Sequence, residues 1–153
     1  GCEHRVGGLE KNHDGVISSD PMNHDLMVKE RMEKVQRVAN YIPELKVDGA
    51  ESGKLLVVGW GGTYGHLLSA VQEVRAEGID VSFAHFDYIM PLPKNTADVF
   101  EKFDKILVCE LNSGQFVNYL RALMPQFKYE QFNKVQGQPF LVQEITTAIK
   151  ENF

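Results

Sequence analysis

Cysteine is scarce in this chain of 153 residues, which contains only Cys2 and Cys109. Two cysteines cannot build a disulfide framework, and they cannot ligate an iron–sulfur cluster without further ligands. Cys109 ends the apolar run 106–109, so we expect a buried thiol and assign the chain to a reducing cytoplasm. The sequence begins with Gly1 rather than Met, and we expect it to be a segment of a longer protein.

Long hydrophobic runs and an excess of positive charge are also missing. No run of about 18 apolar residues occurs, so no transmembrane helix is predicted and no membrane partner is expected. The formal net charge of -5 argues against a nucleic-acid partner, because such proteins carry a clustered positive surface. The hydrophobic share of 43% is sufficient for the packed core of one domain of ordinary size.

Motifs for metal binding and nucleophilic catalysis are absent from the sequence. The five histidines are scattered, and no His-x-x-x-His or Cys-x-x-Cys pair predicts a metal site. We interpret His66 and His85 as packed or hydrogen-bonded residues rather than general bases. Ser113 lacks a Gly-x-Ser-x-Gly context and a nearby histidine, so we interpret it as a helix cap. We therefore predict no catalytic residue, which argues against an independent small enzyme.

The first third of the chain contains an arm, a helix and a linker. Residues 1–19 are rich in Gly, Asn, Asp and Ser, and Asp20-Pro21 is typical of a helix start. A helix is predicted from there to about Tyr41. Its apolar residues recur at helical spacing and form one stripe. The stripe consists of Val28, Met32, Val35, Ala39 and Ile42. Pro43 ends the helix, and residues 47–53 are predicted to be a polar linker.

Strands and helices alternate from Lys54 onwards. Strands are predicted at 55–60, 81–86, 105–110 and 129–135, and helices at 64–77, 95–103, 113–124 and 141–150. Single helices between strands predict right-handed crossovers and a mainly parallel sheet covered on both faces. We therefore predict an α/β fold, a three-layer α/β/α sandwich, in residues 54–153. Residues 1–53 form the N-terminal arm, helix and linker.

A glycine-rich turn joins the first of these strands to its helix. Open α/β sheets bind phosphates at this position, and Asp87 at the end of the next strand would meet a ribose hydroxyl. The spacing departs from Gly-x-Gly-x-x-Gly because Tyr64 occupies the third glycine position, and no P-loop Lys-Ser/Thr pair follows. A tight turn or a subunit contact explains the same residues.

The switch-point rule for open sheets brings two strand ends together as a candidate cofactor-binding site. Its residues are Gly61, Gly62, Thr63, Asn112, Ser113, Gly114 and Gln115. Such a site would bind a nucleotide or coenzyme A, and this binding module is the alternative to a purely structural domain.

Several motifs follow one another in a fixed order along nearly the whole chain. They are Gly8-Leu9-Glu10, Asp20-Pro21-Met22-Asn23-His24, Met27-Val28-Lys29-Glu30-Arg31, Val58 to Thr63 with Gly65, Pro91-Leu92-Pro93, Glu110 with Asn112, Gly114 and Gln115, and Lys134 with Gly137, Pro139 and Phe140. Together they resemble the α subunit of the 2-oxoacid:ferredoxin oxidoreductases, especially the 2-oxoglutarate type. One departure is Lys11, where the family commonly has histidine directly after Gly-Leu-Glu.

The resemblance implies a fold similar to the C-terminal domain of transketolase-like enzymes. It implies that the intact enzyme converts 2-oxoglutarate and coenzyme A to succinyl-CoA and CO₂ and reduces ferredoxin. Thiamine diphosphate, Mg²⁺ and an iron–sulfur cluster would serve that reaction, largely on a partner β subunit and an earlier domain. The resemblance therefore implies a structural and assembly domain that holds no cofactor itself and is inactive in isolation.

Overall fold

The computed structural model describes residues 7–153, and the chain divides into two compact units between Tyr41 and Ile42. None of the described helices has both the length and the apolar character needed to cross a membrane.

The first unit contains one long helix, α1, over Pro21–Arg37, followed by a 3₁₀ turn over Val38–Asn40. Its predicted start is confirmed, because the Asp20 side chain accepts a hydrogen bond from the Met22 amide at 2.9 Å and Pro21 occupies the first turn. The helix ends four residues before the predicted Tyr41. No side chain of α1 is buried, so the described residues of the first unit provide no core for the predicted apolar stripe.

Three of the sequence motifs meet at Glu10 in the first unit. The Glu10 carboxylate lies 3.0 Å from Nδ1 of His24 and accepts a hydrogen bond from Arg31 at 2.8 Å. The hydrogen bond from Arg31 is the main reason that the pKa of Glu10 is lowered, and His24 acts in the same direction. Glu10 thereby joins the segment Gly8-Leu9-Glu10 to two side chains of α1, His24 and Arg31.

The second unit is a five-stranded sheet with helices on both faces. The strands are β1 Val47–Asp48, β2 Gly53–Trp60, β3 Ser82–Phe86, β4 Phe103–Glu110 and β5 Tyr129–Asn133. The helices are α2 Tyr64–Ala76, α3 Thr96–Phe100, α4 Gln115–Leu123 and α5 Val142–Asn152. The strand order is β1-β3-β2-β4-β5, and β2 to β5 run parallel. The predicted three-layer sandwich with a mainly parallel sheet is confirmed.

The prediction of a linker over residues 47–53 is wrong for Val47 and Asp48, which form β1. Val47 and Asp48 pair antiparallel with β3, and Arg75 of α2 bonds to both the carboxylate and the carbonyl of Asp48. The Ser82 hydroxyl donates to the Ala50 carbonyl at 2.7 Å. These contacts join residues 47–50 to the sheet. The domain division predicted at Lys54 is a separate matter and stays a prediction.

Side chains on the two faces of the sheet pack into two separate hydrophobic cores. Phe83 and Leu107 face α2 and α5, whereas Phe86 and Val108 face α3 and α4. The run 55–59 of β2 is buried throughout, as expected for a central parallel strand covered on both faces. The strand ends are therefore held rigidly on both sides of the sheet.

The motif around Lys134 closes the chain between β5 and α5. Lys134 is 8% exposed, and its ammonium group donates to the Pro139 carbonyl at 3.0 Å and to Glu144 Oε2 at 2.8 Å. The same carboxylate oxygen accepts from the Leu141 amide at 2.9 Å. Lys134 and Glu144 together hold the loop before α5 and the first turn of that helix, and we call this pair the clamp.

We expect Lys134→Met to lower the melting temperature of the chain by several degrees at pH 7, because it removes three donated hydrogen bonds. The hydrogen bond from Lys134 lowers the pKa of Glu144, so the clamp stabilises fully above the ordinary carboxyl pKa of 4.5. The difference between the wild type and Lys134→Met should shrink as pH falls through the lowered pKa. Lys150→Met, which breaks an exposed pair with Glu77, is the control and should have little effect. A constant difference down to pH 2 would contradict this role.

Candidate functional site

The predicted strand ends meet at a cavity of about 290 Å³ between β2 and β4. The chain goes from β2 to β3 on one side and then crosses to β4 on the other, so this is the switch point of the sheet. Gly61, Gly62, Thr63, Asn112 and Gln115 line the cavity together with Trp60 and Leu111. Two of the seven predicted residues, Ser113 and Gly114, are not among its lining residues.

Two of the polar side chains at this cavity, Thr63 and Asn112, already have partners within the chain. The Thr63 hydroxyl accepts from the Trp60 amide at 3.1 Å and donates to the Trp60 carbonyl at 2.9 Å. Asn112 Oδ1 accepts from the amides of Gly114 and Gln115, both at 2.8 Å. The prediction that Ser113 caps the helix is wrong, because Asn112 satisfies these amides and Gly114 turns the chain at a positive φ of 95°.

Glu110 is the residue that organises this edge, and its fully buried carboxylate has four donors. Oε1 accepts from Trp60 Nε1 at 3.2 Å, from Asn112 Nδ2 at 3.1 Å and from the Phe116 amide at 2.8 Å. Oε2 accepts from the Val117 amide at 2.9 Å. The amides at 114–117 thus all have internal acceptors, and the start of α4 offers none of them to an anion.

The sequence analysis identified Glu110 only as part of a motif and did not predict that its carboxylate accepts these hydrogen bonds. The signal available was a glutamate at the end of an apolar strand, two residues before an asparagine. A buried carboxylate without a cation must accept several hydrogen bonds to be tolerated, and the Trp60 donor lies 50 residues away.

A larger cleft of about 660 Å³ lies on the other side of the glycine turn. It is lined by Lys46, Val47, Asp48, Gly61, Tyr64, Phe83, His85 and Asp87. The Tyr64 ring meets the His85 ring edge-on, with centroids 5.1 Å apart. Burial lowers the pKa of His85, and the nearby Asp87 carboxylate opposes that shift. His85 Nδ1 is buried and has no hydrogen-bond partner among the described residues. His85 therefore packs against Tyr64 as interpreted, but it is not fully hydrogen-bonded.

A small apolar groove of about 140 Å³ lies beside Trp60. Its lining residues are Trp60, Ile89, Met90, Gln115, Phe116 and Tyr119. The Trp60 and Phe116 rings meet edge-on at 6.3 Å, and Met90 is 67% exposed at the mouth. Its chemistry suits an apolar side chain better than a charged ligand.

The donors of the described residues do not fit the metal groups that the resemblance implies for the whole enzyme. No cluster of three His, Cys, Asp or Glu side chains in residues 7–153 is arranged to hold a metal ion. Cys109 is fully buried, and burial, with a smaller contribution from Glu110, raises the pKa of its thiol. A thiol held in its protonated form is a poor ligand for an iron–sulfur cluster.

Comparison with known proteins identifies the family, although no family model matches the chain. The chain is 39% identical to 2-oxoglutarate oxidoreductase subunit KorA of Mycobacterium tuberculosis, over 98% of this chain and 23% of the relative. It is 27% identical to subunit alpha of 2-oxoacid:ferredoxin oxidoreductase 1 of Aeropyrum pernix, over 93% of this chain and 23% of that relative. The chain thus spans about a quarter of the length of these relatives.

Solved structures agree with the sequence comparison. The structure of 2-oxoglutarate:ferredoxin oxidoreductase from Magnetococcus marinus matches 98% of this chain and 27% of its own chain, with a TM-score of 0.86 and 29% identity. A split-gene transketolase matches 70% of this chain and 41% of its own at a TM-score of 0.55 and 13% identity, which indicates a shared fold alone. The chain therefore belongs to the α subunits of the 2-oxoacid:ferredoxin oxidoreductases and corresponds to a C-terminal portion of such a subunit.

Proposed function

We propose that the chain is an assembly domain of a cytoplasmic 2-oxoglutarate:ferredoxin oxidoreductase. The intact enzyme would convert 2-oxoglutarate and coenzyme A to succinyl-CoA and CO₂ and would reduce ferredoxin. Thiamine diphosphate with Mg²⁺ would supply the carbanion chemistry, and an iron–sulfur cluster would carry electrons. We assign these groups to the β subunit and to earlier parts of the α subunit. This chain would contribute no catalytic residue and would be inactive alone.

The observation that carries this proposal is the apolar stripe of α1, none of whose side chains is buried within the described residues of the first unit. Val28, Met32 and Val35 recur at helical spacing on one side of the helix. Met32 is 65% exposed and Val35 is 41% exposed. Most helices in proteins are stabilised by packing an apolar face, so a 17-residue helix without a buried side chain requires a partner surface. The partner of this stripe would be the remainder of the enzyme, since this chain spans about a quarter of the length of its relatives.

The apolar groove beside Trp60 supports the same proposal from the second unit. Its volume of about 140 Å³ is that of one large apolar side chain, and exposed Met90 gives it an adaptable rim. Aromatic pockets of this kind are typical anchor points of protein interfaces.

Charge introduced into the stripe tests the proposal in the full-length α subunit, produced together with its β subunit. We expect Met32→Glu to reduce the equilibrium association of the subunits at least about tenfold, because a carboxylate would be buried without a partner. Glu33→Gln on the opposite face is the control and should assemble like the wild type. Sedimentation and 2-oxoglutarate-dependent ferredoxin reduction per assembled complex are measured together. Unchanged assembly of Met32→Glu would refute the role of the stripe.

The alternative is a nucleotide or coenzyme A site at the cavity between β2 and β4. The internal hydrogen bonds of Thr63 and Asn112 weigh against it, because a ligand would have to replace them. We therefore prefer the assembly role to a ligand-binding role for this edge of the sheet.

A further inference from the structure

Two cavities of the second unit adjoin at three shared lining residues. The larger is the cleft of about 660 Å³ beside the glycine turn, and the smaller, of about 180 Å³, lies between residues 43–46 and the loop after β3. Lys46, His85 and Asp87 line both of them. A group bound in the cleft would therefore meet the charged side chains of both cavities.

Acidic side chains outnumber basic ones around the two cavities. Their lining residues include Glu44, Asp48 and Asp87, whereas Lys46 is the one lysine or arginine among them. Asp48 is paired with Arg75 of α2. Glu44 and Asp87 are exposed and form no hydrogen bond or ion pair with any other residue in the range 7–153. Two carboxylates thus remain for one cation, and the excess negative charge attracts a basic group and repels an anion.

An aromatic surface lies in the same cleft. Tyr64 is 51% exposed, and its ring centroid lies 5.8 Å from that of Phe83 and 5.1 Å from that of His85. The face of a tyrosine ring attracts a cation, most often the guanidinium group of arginine. The aromatic surface and the free carboxylate of Asp87 therefore favour the same kind of ligand.

The His85 ring adds an acceptor that lacks a donor. Burial lowers the pKa of His85, so the ring is neutral at pH 7. The Gly61 backbone accepts a hydrogen bond from the ring, whereas Nδ1 is buried and has no partner among the described residues. The proton therefore lies on Nε2, and Nδ1 is an acceptor. A buried acceptor without a donor is uncommon and calls for an N–H group from outside.

We propose that this cleft is a pocket for an arginine side chain from a part of the enzyme that lies outside this chain. A planar guanidinium group stacks on Tyr64 and donates to the Asp87 carboxylate, and rotation of the half-exposed Tyr64 ring lets a further N–H reach His85 Nδ1. Arginine suits these groups better than lysine, because it provides five N–H donors and stacks on aromatic rings. Lys46 is exposed and moves aside.

The proposal names a partner for the second unit and rests on the assembly role. This chain spans 23% of the relative from Mycobacterium tuberculosis and 27% of the chain from Magnetococcus marinus, so most of the surface of such an enzyme lies outside it. An arginine anchored in a pocket of this kind is a common central contact of protein interfaces.

Titration of the 153-residue chain by NMR tests the recognition of arginine, with the ring resonances of Tyr64 and His85 as local reporters. The probe is N-acetylarginine amide, and we expect saturable shifts. N-acetylcitrulline amide has the same shape without the charge and should bind about threefold more weakly. Asp87→Asn should weaken binding of the arginine probe about threefold, whereas Lys46→Met should strengthen it by a similar factor. Asp104→Asn, an exposed aspartate at the start of β4, is the control and should bind like the wild type.

Three results of this titration would overturn the proposal. Equal binding of the arginine and citrulline probes would show that the charge is not recognised. Weaker binding to Lys46→Met would show that the cleft prefers an anion. Much tighter binding of free L-arginine than of the blocked probe would indicate a small-molecule site instead of a docking site. Circular dichroism of each variant checks its fold.

Cysteine labelling of the assembled enzyme tests the docking step. Tyr88 lines the smaller cavity, and Tyr88→Cys should react with a maleimide much faster in the 153-residue chain than in the complex of full-length α and β subunits. Equal rates would show that the cleft stays uncovered and would overturn the proposal. If Met32→Glu prevents assembly but the cleft is uncovered, the arginine pocket alone is refuted. If the cleft is covered but Met32→Glu assembles normally, the stripe alone is refuted.

Discussion

Glu110→Gln should lower the free energy of unfolding by about 3 kcal/mol, a large fraction of the stability of an ordinary domain. Glutamine preserves the shape of the side chain but brings one amide group. If its oxygen takes the Oε1 position, its NH₂ group faces the Val117 amide, which now donates to Oε2. In the opposite orientation of the amide, the NH₂ group lies against the N–H donors of Trp60 and Phe116. Either way, buried donors lose their acceptor.

Urea denaturation of the whole chain measures this loss. Glu73→Gln, an exposed glutamate on α2, makes the same chemical change without buried donors and serves as the control. The fluorescence of Trp60, the only tryptophan, reports the same site, because its indole nitrogen donates to Glu110. Equal stability of the two variants would show that Glu110 does not hold the strand end and α4 together.

The layered fold was predictable because it depends on periodicity. The apolar runs at 55–60 and 105–110 bury almost every residue, and the helical stripes between them face the two cores. The edge strand β1 was not predictable, since two residues carry no alternating pattern. Its formation depends on Arg75, a side chain 27 residues away that binds Asp48.

The meeting of the two strand ends was predictable from the sequence, whereas a binding role of their residues stays a prediction. The switch-point rule placed five of the seven candidate residues at one cavity. It could not tell that Thr63 and Asn112 use their polar atoms within the chain, because these bonds depend on local geometry. The pairing of Glu110 with Trp60 and the cleft beside His85 depend on contacts between separate strands, which a single sequence does not reveal.

Gly59→Ala should lower the free energy of unfolding by about 2 kcal/mol because a buried methyl group would overpack the turn after β2. A Cβ atom at Gly59 would lie 2.2 Å from Leu67 Cδ1 and 2.6 Å from Thr63 Oγ1. Leu67 is fully buried, and Thr63 Oγ1 is held by Trp60 on both sides, so neither atom can move freely. Gly53→Ala is the matched control in the same strand, since its Cβ would meet only Phe103 at 3.9 Å.

A double-mutant cycle identifies the clash as the cause. If the new methyl group acts by pressing on Leu67, then Leu67→Ala, which is destabilising alone because it leaves a cavity, should lose much of its cost in the Gly59→Ala background. Urea denaturation of the wild type, both single variants and the double variant gives the coupling. If the losses of unfolding free energy in the two single variants simply add in the double variant, the clash with Thr63 causes the destabilisation instead. In that case the turn, rather than the packing of α2 on the sheet, is the reason that this strand ends in glycine before Trp60.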